Sequence, residues 1–224
     1  MSALKNRAFH RAARSVSLTR RRFGLLLGGA AALPLAPAFA AGFSPGIDVQ
    51  GQLPNLAFTM RRSSDDKVVT AADYRSRVVV LYFGFTRCPD TCPLTMQNAA
   101  RVLDQMGLLA DRMRVLFVTV DPAYDTVPRL KTYLTNFGKP PEIDGLRGTP
   151  DQLAALAKRY GVAYQAPTSP DAPDPISKIS HSSAVYLFDA EGRVQQILGR
   201  LGVANVDIAA TATDLERFAR RAPG

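Results

Sequence analysis

The sequence predicts an α/β layered domain: a central mixed β-sheet flanked by helices, with an extra hairpin at its N-terminal end. Three observations carry that expectation. Two continuous apolar runs, VVVLYFGF over 78–85 and RVLFVTV over 114–120, are β-branched, aromatic and short, as strands buried on both faces are. Each is followed by a segment whose apolar residues recur at helical spacing. The chain then closes with a hairpin and a last amphipathic helix.

In order along the chain, residues 41–54 read as an irregular lead-in, interrupted by Gly42, Pro45, Gly46, Gly51 and Pro54. The domain is expected over 55–220. Leu56–Met60 and Lys67–Thr70 form a short hairpin around Ser63–Asp66. After the first buried strand comes a helix to about Gly107, with Leu94, Ala99, Val102, Leu103 and Met106 as its apolar stripe. The second strand leads through Asp121-Pro122 into a helix over 128–137. Thr149 caps a helix from Pro150 to Tyr160, with proline at the first helical position and Gly161 just beyond the end. Val162–Tyr164 is a short strand. A loop over 165–180 follows, with prolines at 167, 170, 173 and 175 and no apolar period. Ser183–Asp189 and Arg193–Leu198 pair around Ala190-Glu191-Gly192, and a helix from Asn205 to Arg220 turns Ile208, Leu215 and Phe218 inward.

The basic excess does not belong to this domain. The chain has 28 Lys and Arg against 19 Asp and Glu, yet residues 1–40 hold Lys5, Arg7, Arg11, Arg14, Arg20, Arg21, Arg22 and no acid. Without those seven, 21 bases face 19 acids, too even a balance for phosphate backbones. No nucleic-acid partner is expected. The basic stretch precedes a short apolar segment from Phe23 and ends at Ala38-Phe39-Ala40, the three-part layout of a secretory signal peptide. Thr19–Leu25 resembles the twin-arginine export pattern. Cleavage after Ala40 and a periplasmic location are expected; retention of the segment would leave an N-terminal anchor, the one foreseen membrane attachment.

Beyond Ala40, the chain keeps Cys88, Cys92 and His181 as its soft or borderline ligands. The cysteines form C-x3-C at the turn from a buried strand into a helix. A helix N-terminus favours an anion, and Arg87 adds a positive charge, so lowered thiol pKa values are expected there. A helical segment would put both sulfurs on one face. Such a pair can close a disulfide or hold one soft metal ion. A purely stabilising bridge across so short a loop removes little unfolded-state entropy. Redox catalysis of the thioredoxin kind uses C-x-x-C, one residue shorter. His181 stands where the closing hairpin begins; in a thioredoxin-like layout that position lies across from the cysteine turn. Two thiolates and an imidazole suit Cu(I), Cu(II) or zinc, and with no fourth ligand evident for zinc, copper is favoured.

Four segments, YFGFTRCPDTCP (82–93), VTVDPAYDT (118–126), LRGT (146–149) and HSSAVYLFD (181–189), together resemble the Sco/SenC family in order and spacing. The resemblance covers roughly residues 50–220. It implies a thioredoxin-like fold and a copper chaperone that helps metallate the CuA centre of cytochrome c oxidase. It also implies Cys88, Cys92 and His181 as the copper ligands, with Cys88–Cys92 as the redox-active pair able to close a disulfide. The implied partner is the copper-bearing oxidase subunit or another periplasmic copper carrier. A carrier rather than an enzyme is expected; the alternative is a thiol-disulfide oxidoreductase acting on a partner's cysteines, and a third reading is a scaffold domain with an incidental disulfide. Asp121 and Asp125 fall in the family's D-P-x-x-D-T pattern and read as structural or partner-facing. Family members often carry His before the first cysteine, where this chain has Arg87, and Asp before the ligand histidine, where it has Ser180.

Overall fold

A computed structural model describes residues 46–139, 142–165, 180–199 and 201–223. The proposed leader over 1–40, the first part of the lead-in and most of the proline-rich loop lie outside them.

The chain builds a mixed eight-stranded sheet. Strand β1 is Ile47–Asp48, β2 Thr59–Arg62, β3 Val68–Thr70, β4 Val78–Gly84, β5 Met113–Thr119 and β6 Ile143–Arg147. Two-residue strands β7, Tyr164–Gln165, and β8, Ser180–His181, pair with each other, and β9, Val185–Phe188, and β10, Val194–Ile197, complete the sheet. Its order is β1-β10-β9-β4-β5-β6-β2-β3. Strands β4, β5 and β6 run parallel, while β9 lies antiparallel to β4. Helices α1, Thr91–Met106, α2, Val127–Leu134, α3, Pro150–Arg159, and α4, Ile208–Ala219, flank the sheet.

The centre of the sheet is where the sequence is most apolar. Every residue of β4 is buried, and β5 is buried except at Arg114, which its neighbours leave half-covered. Covered on both faces, these strands need no polar alternation. Helix starts follow local chemistry. Thr149 caps α3 as expected, accepting from the Gln152 N–H, and the Gln152 side chain in turn accepts from the Thr149 N–H, a reciprocal box. The Asp207 side chain caps α4 through the Ala210 N–H at 2.9 Å.

Three elements differ from the sequence reading. The lead-in supplies a strand, β1, whose Ile47 and Asp48 pair with Ile197 and Gln196 at the sheet edge. Residues 143–147 form a strand that composition hides, because it contains Asp144 and Gly145. His181 does not begin the closing hairpin; it lies on β8, opposite Tyr164 of β7, ahead of β9. On α1 the expected stripe of Ala99, Val102, Leu103 and Met106 is buried, joined by Met96, while Leu94 is only partly covered.

Asp144 shows how a carboxylate tolerates a strand interior. Its oxygens accept from the Ser63 hydroxyl at 2.7 Å, the Ser64 N–H at 3.1 Å and the Gly145 N–H at 2.8 Å, and from the Ser64 hydroxyl. These donors fasten the β2–β3 hairpin to the parallel core. Removing the acceptor leaves buried donors unpaired, each costing about 1–3 kcal/mol. Asp144→Ala is therefore expected to lower unfolding free energy by about 2–4 kcal/mol in urea titrations; a variant within about 0.5 kcal/mol of wild type would contradict this role.

Candidate metal centre

Strand β4 delivers the chain, through Phe85, to the turn that carries Cys88 and into α1, whose second residue is Cys92. Pro93, in the first helical turn, lacks an N–H that would have had no intrahelical partner there. Asp90 occupies the N-cap position but makes no side-chain cap. A sulfur does this instead: the Cys92 N–H donates to Cys88 Sγ at 3.4 Å. The orphan donors of a helix start favour an anion, and here the anion is a thiolate. Gly84 permits the approach. A Cβ at that position would lie 2.7 Å from the Phe117 ring and 3.0 Å from Cys92 Sγ.

The two cysteines are free thiols in different surroundings. Cys88 is half-buried and Cys92 fully buried. The Cys92 thiol, then His181 and the N–H groups of Asp90 and Cys92, draw the Cys88 pKa down to about 3. Cys92 is driven the other way, first by its hydrogen bond to Cys88 and then by burial. One proton is thus held on Cys92 beside the Cys88 thiolate. The Tyr82 hydroxyl donates to Cys92 Sγ at 3.4 Å, and burial keeps that phenol protonated.

His181 reaches the same point from β8. Its ring stands edge-on to Tyr82 and Phe85, each at 5.8 Å between centroids. Nε2 lies 3.3 Å from Cys92 Sγ and Nδ1 lies 3.0 Å from the Ser182 carbonyl oxygen. A carbonyl can only accept, which assigns a proton to Nδ1 and turns Nε2 toward the sulfurs. The Cys88, Cys92 and His181 ligand atoms all lie within 4.8 Å of one another. Bonds of about 2.3 Å to sulfur and 2.0 Å to nitrogen place the ligands of one ion roughly 3.5–4 Å apart. Two sulfurs and a ring nitrogen so gathered fit a soft metal ion.

Arg87 does not act as expected. Its guanidinium is turned away from the sulfurs to the buried carboxylate of Asp121, at 2.7 Å, and lies 3.9 Å over the Tyr124 ring. Its charge is neutralised there, and the Cys88 thiolate rests on hydrogen bonds instead. Asp125, also buried, accepts from the Thr86 N–H at 3.1 Å, the Thr86 hydroxyl at 2.5 Å and the Thr119 hydroxyl at 2.6 Å. Asp121 and Asp125 therefore hold consecutive residues of the cysteine turn. Of the two roles foreseen for them, the structural one is seen. Tyr82, Thr86 and Phe85 are contributors that the sequence reading did not single out. The available sign was two acids following a strand of largely apolar residues, where only buried donors could tolerate them. The side chain of Ser180 lies outside the described structure.

A family model described as SCO1/SenC matches residues 55–218. The cow protein named SCO2 homolog, mitochondrial, is 38% identical over 130 residues, covering 56% of this chain and 47% of its own. The chain spans about half the length of the curated relatives it matches. Among solved structures, ScoI of Bradyrhizobium japonicum with copper bound is 29% identical with a TM-score of 0.64, covering 73% of this chain and 98% of that one. Copper-bound yeast Sco1 is also 29% identical, with a TM-score of 0.63, covering 75% and 90%.

The thiol asymmetry has a direct readout. An ordinary thiol is about 0.3% thiolate at pH 6 and gains tenfold per pH unit. Because its pKa is lowered, Cys88 is already deprotonated across pH 6–8. Iodoacetamide is expected to label Cys88 at least about tenfold faster than Cys92 at pH 6, and its rate to stay nearly flat up to pH 8. Peptide mass spectrometry after timed quenching distinguishes this from equal labelling, or from a tenfold rise per pH unit at Cys88, either of which would refute it.

Proposed function

The chain belongs to the SCO1/SenC family, and on that premise we propose that it is a copper-binding metallochaperone of the periplasm that delivers copper for assembly of the CuA centre of cytochrome c oxidase. The observation that carries the proposal is the convergence of three ligand atoms within 4.8 Å, with the histidine's second nitrogen committed to a carbonyl. The copper-bound state of two similar structures supports copper as the cargo. Cys88, Cys92 and His181 would hold it, two soft sulfurs and one imidazole suiting Cu(I) or Cu(II).

The chain's own residues suit a carrier. Cys92 is buried and braced by Tyr82, so it anchors the site from below. Cys88 is half-buried, so a metal held there would be open to an incoming ligand on that side. Nδ1 donation to Ser182 orients the imidazole before the metal arrives. The leader over 1–40 would export the chain, or anchor it to the membrane if retained; no helix among the described residues is long and apolar enough to cross one. The recipient would be the copper-bearing oxidase subunit or another periplasmic copper carrier.

One observation favours a second reading. A half-buried thiolate beside a buried protonated thiol is also the attacker-and-resolver pair of a thiol-disulfide oxidoreductase. Cys88 would attack a partner disulfide and release one thiol; Cys92 would then displace the second. This oxidises the pair to a Cys88–Cys92 disulfide as the partner gains two thiols. His181 has no required part in that exchange.

Copper stoichiometry of the reduced protein separates the two. Wild type is expected to bind about one copper per chain, with Cys88→Ser and Cys92→Ser losing it and His181→Ala losing most of the affinity. A His181→Ala protein with wild-type affinity would remove the carrier assignment. Wild type that binds no copper yet reduces a disulfide substrate would establish the oxidoreductase instead.

A further inference from the structure

At the opposite end of the parallel strands, a cleft of about 450 Å³ is lined by four arginines and two aspartates. Arg77 stands one residue before β4, and Arg114 is the second residue of β5. The register sets Val79 beside Arg114, so Arg77 and Arg114 leave the same face of neighbouring strands. Arg75 joins them from the preceding turn, where Ser76 adopts a left-handed conformation with φ of 67°. That conformation disfavours side chains other than glycine, so the turn is held at some cost.

The charges of this cleft are not balanced from within. Arg62 is committed to Asp65 by bonds of 2.9 and 2.7 Å. Arg75, Arg77 and Arg114 make no ion pair among the described residues. Each is held by carbonyls: Arg75 by Glu191, Arg77 by Ser76 at 3.0 Å, and Arg114 by Asp111 at 2.9 Å and Met113 at 2.5 Å. These bonds use Nη1 alone and leave the rest of each guanidinium fork unassigned. The two lining carboxylates are taken. Asp73 accepts from the N–H and hydroxyl of Thr70 at 2.7 and 2.9 Å, and Asp144 serves Ser63, Ser64 and Gly145. Burial, and after it the nearby Arg77 charge, lowers the Arg114 pKa. Tyr74 adds a donor: its hydroxyl is buried and has no partner of hydrogen-bonding geometry, although it lies beside the Arg62 guanidinium. Burial pushes that phenol up to about 12, so it keeps its proton.

Three arginines without an ion pair lining one cleft, with a phenol donor beside them, match an anion with several acceptor oxygens around one centre. We propose that this cleft binds a phosphate group, carried either by free phosphate or by a phospholipid headgroup. A carboxylate offers two oxygens, too few for three forks and a phenol. The site shares no residue with the metal centre and does not depend on the copper reading.

The test uses the full chain at about 0.15 M ionic strength. Inorganic phosphate is titrated by calorimetry, and sedimentation is measured with phosphatidylcholine vesicles with and without phosphatidic acid. The Arg77→Gln/Arg114→Gln double variant is expected to weaken phosphate binding at least about tenfold, and Tyr74→Phe by a smaller factor of about three. Cys88 alkylation should be unchanged in both. The basic residues 1–40 attract acidic vesicles in every variant, so the vesicle readout is the difference from wild type. Loss of free-phosphate binding in the variants assigns the ion. Loss of vesicle binding alone assigns the lipid headgroup. Equal binding by wild type and variants, or binding of neither probe by wild type, overturns the proposal. Should the double variant lose its near-ultraviolet circular dichroism, the exposed Arg75→Gln substitution carries the same comparison, with an expected loss of about threefold or more.

Discussion

The carboxylate of Asp125, wholly buried just beyond β5, is the interaction on which the metal centre depends. It accepts from the backbone N–H and hydroxyl of Thr86 and from the hydroxyl of Thr119. A buried carboxylate is costly unless its oxygens are satisfied, and burial does raise its pKa against those bonds. The gain is position. Asp121 fixes the next residue, Arg87, so the turn entering α1 is held at two successive points from one loop. With its start fixed there, the turn sets Cys88 Sγ over the Cys92 N–H. A loop left to itself would not keep a sulfur at a helix start against the entropy of ordering it.

That position makes two like residues unlike. Cys88 gains hydrogen bonds that favour a thiolate, while Cys92 lies behind it against Tyr82 and the end of β4, where a second charge would be costly. The same asymmetry suits thiol exchange and metal binding alike. His181 is the residue on which the two uses differ. A ring needed only for packing could present either nitrogen, whereas here Nδ1 is committed to the Ser182 carbonyl and Nε2 faces the sulfurs. An imidazole oriented by a carbonyl on one side, with its other nitrogen toward two sulfurs, is suited to a ligand's part.

The central strands were legible because their coverage on both faces removes the polar alternation and leaves unbroken apolar runs at 78–85 and 114–120. Thr149 was legible as a cap because its chemistry is local. Strand β6 was not, since Asp144 and Gly145 look like a turn until Ser63 and Ser64, about eighty positions earlier, are seen to satisfy the acid. Strand β1 is two residues long and exists through its pairing with β10. At the site, the Cys, Cys and His set could be read from residue type, but the fate of the Arg87 charge could not. Its partner Asp121 lies 34 positions away and is brought beside it by the parallel pairing of β4 and β5. Local rules carry caps and buried runs; long-range pairing of charges must be seen.

The same parallel pairing separates two chemistries. Open α/β sheets bind ligands beyond the carboxyl ends of their strands, and the cysteine turn follows that rule, leaving from the end of β4. The arginine cleft lies at the other end, where Arg77 and Arg114 precede or begin the strands. A strand of seven residues spans roughly 20 Å, beyond the screening length of about 8 Å at physiological salt. A charge bound at the basic end therefore has little direct hold on the thiolate at the other, and coupling would have to travel through the packed strands. Because β4 and β5 are buried almost throughout, they form a stiff spacer. The fold thus allows one end of the molecule to be held by an anion while the half-buried Cys88 at the other remains open to exchange.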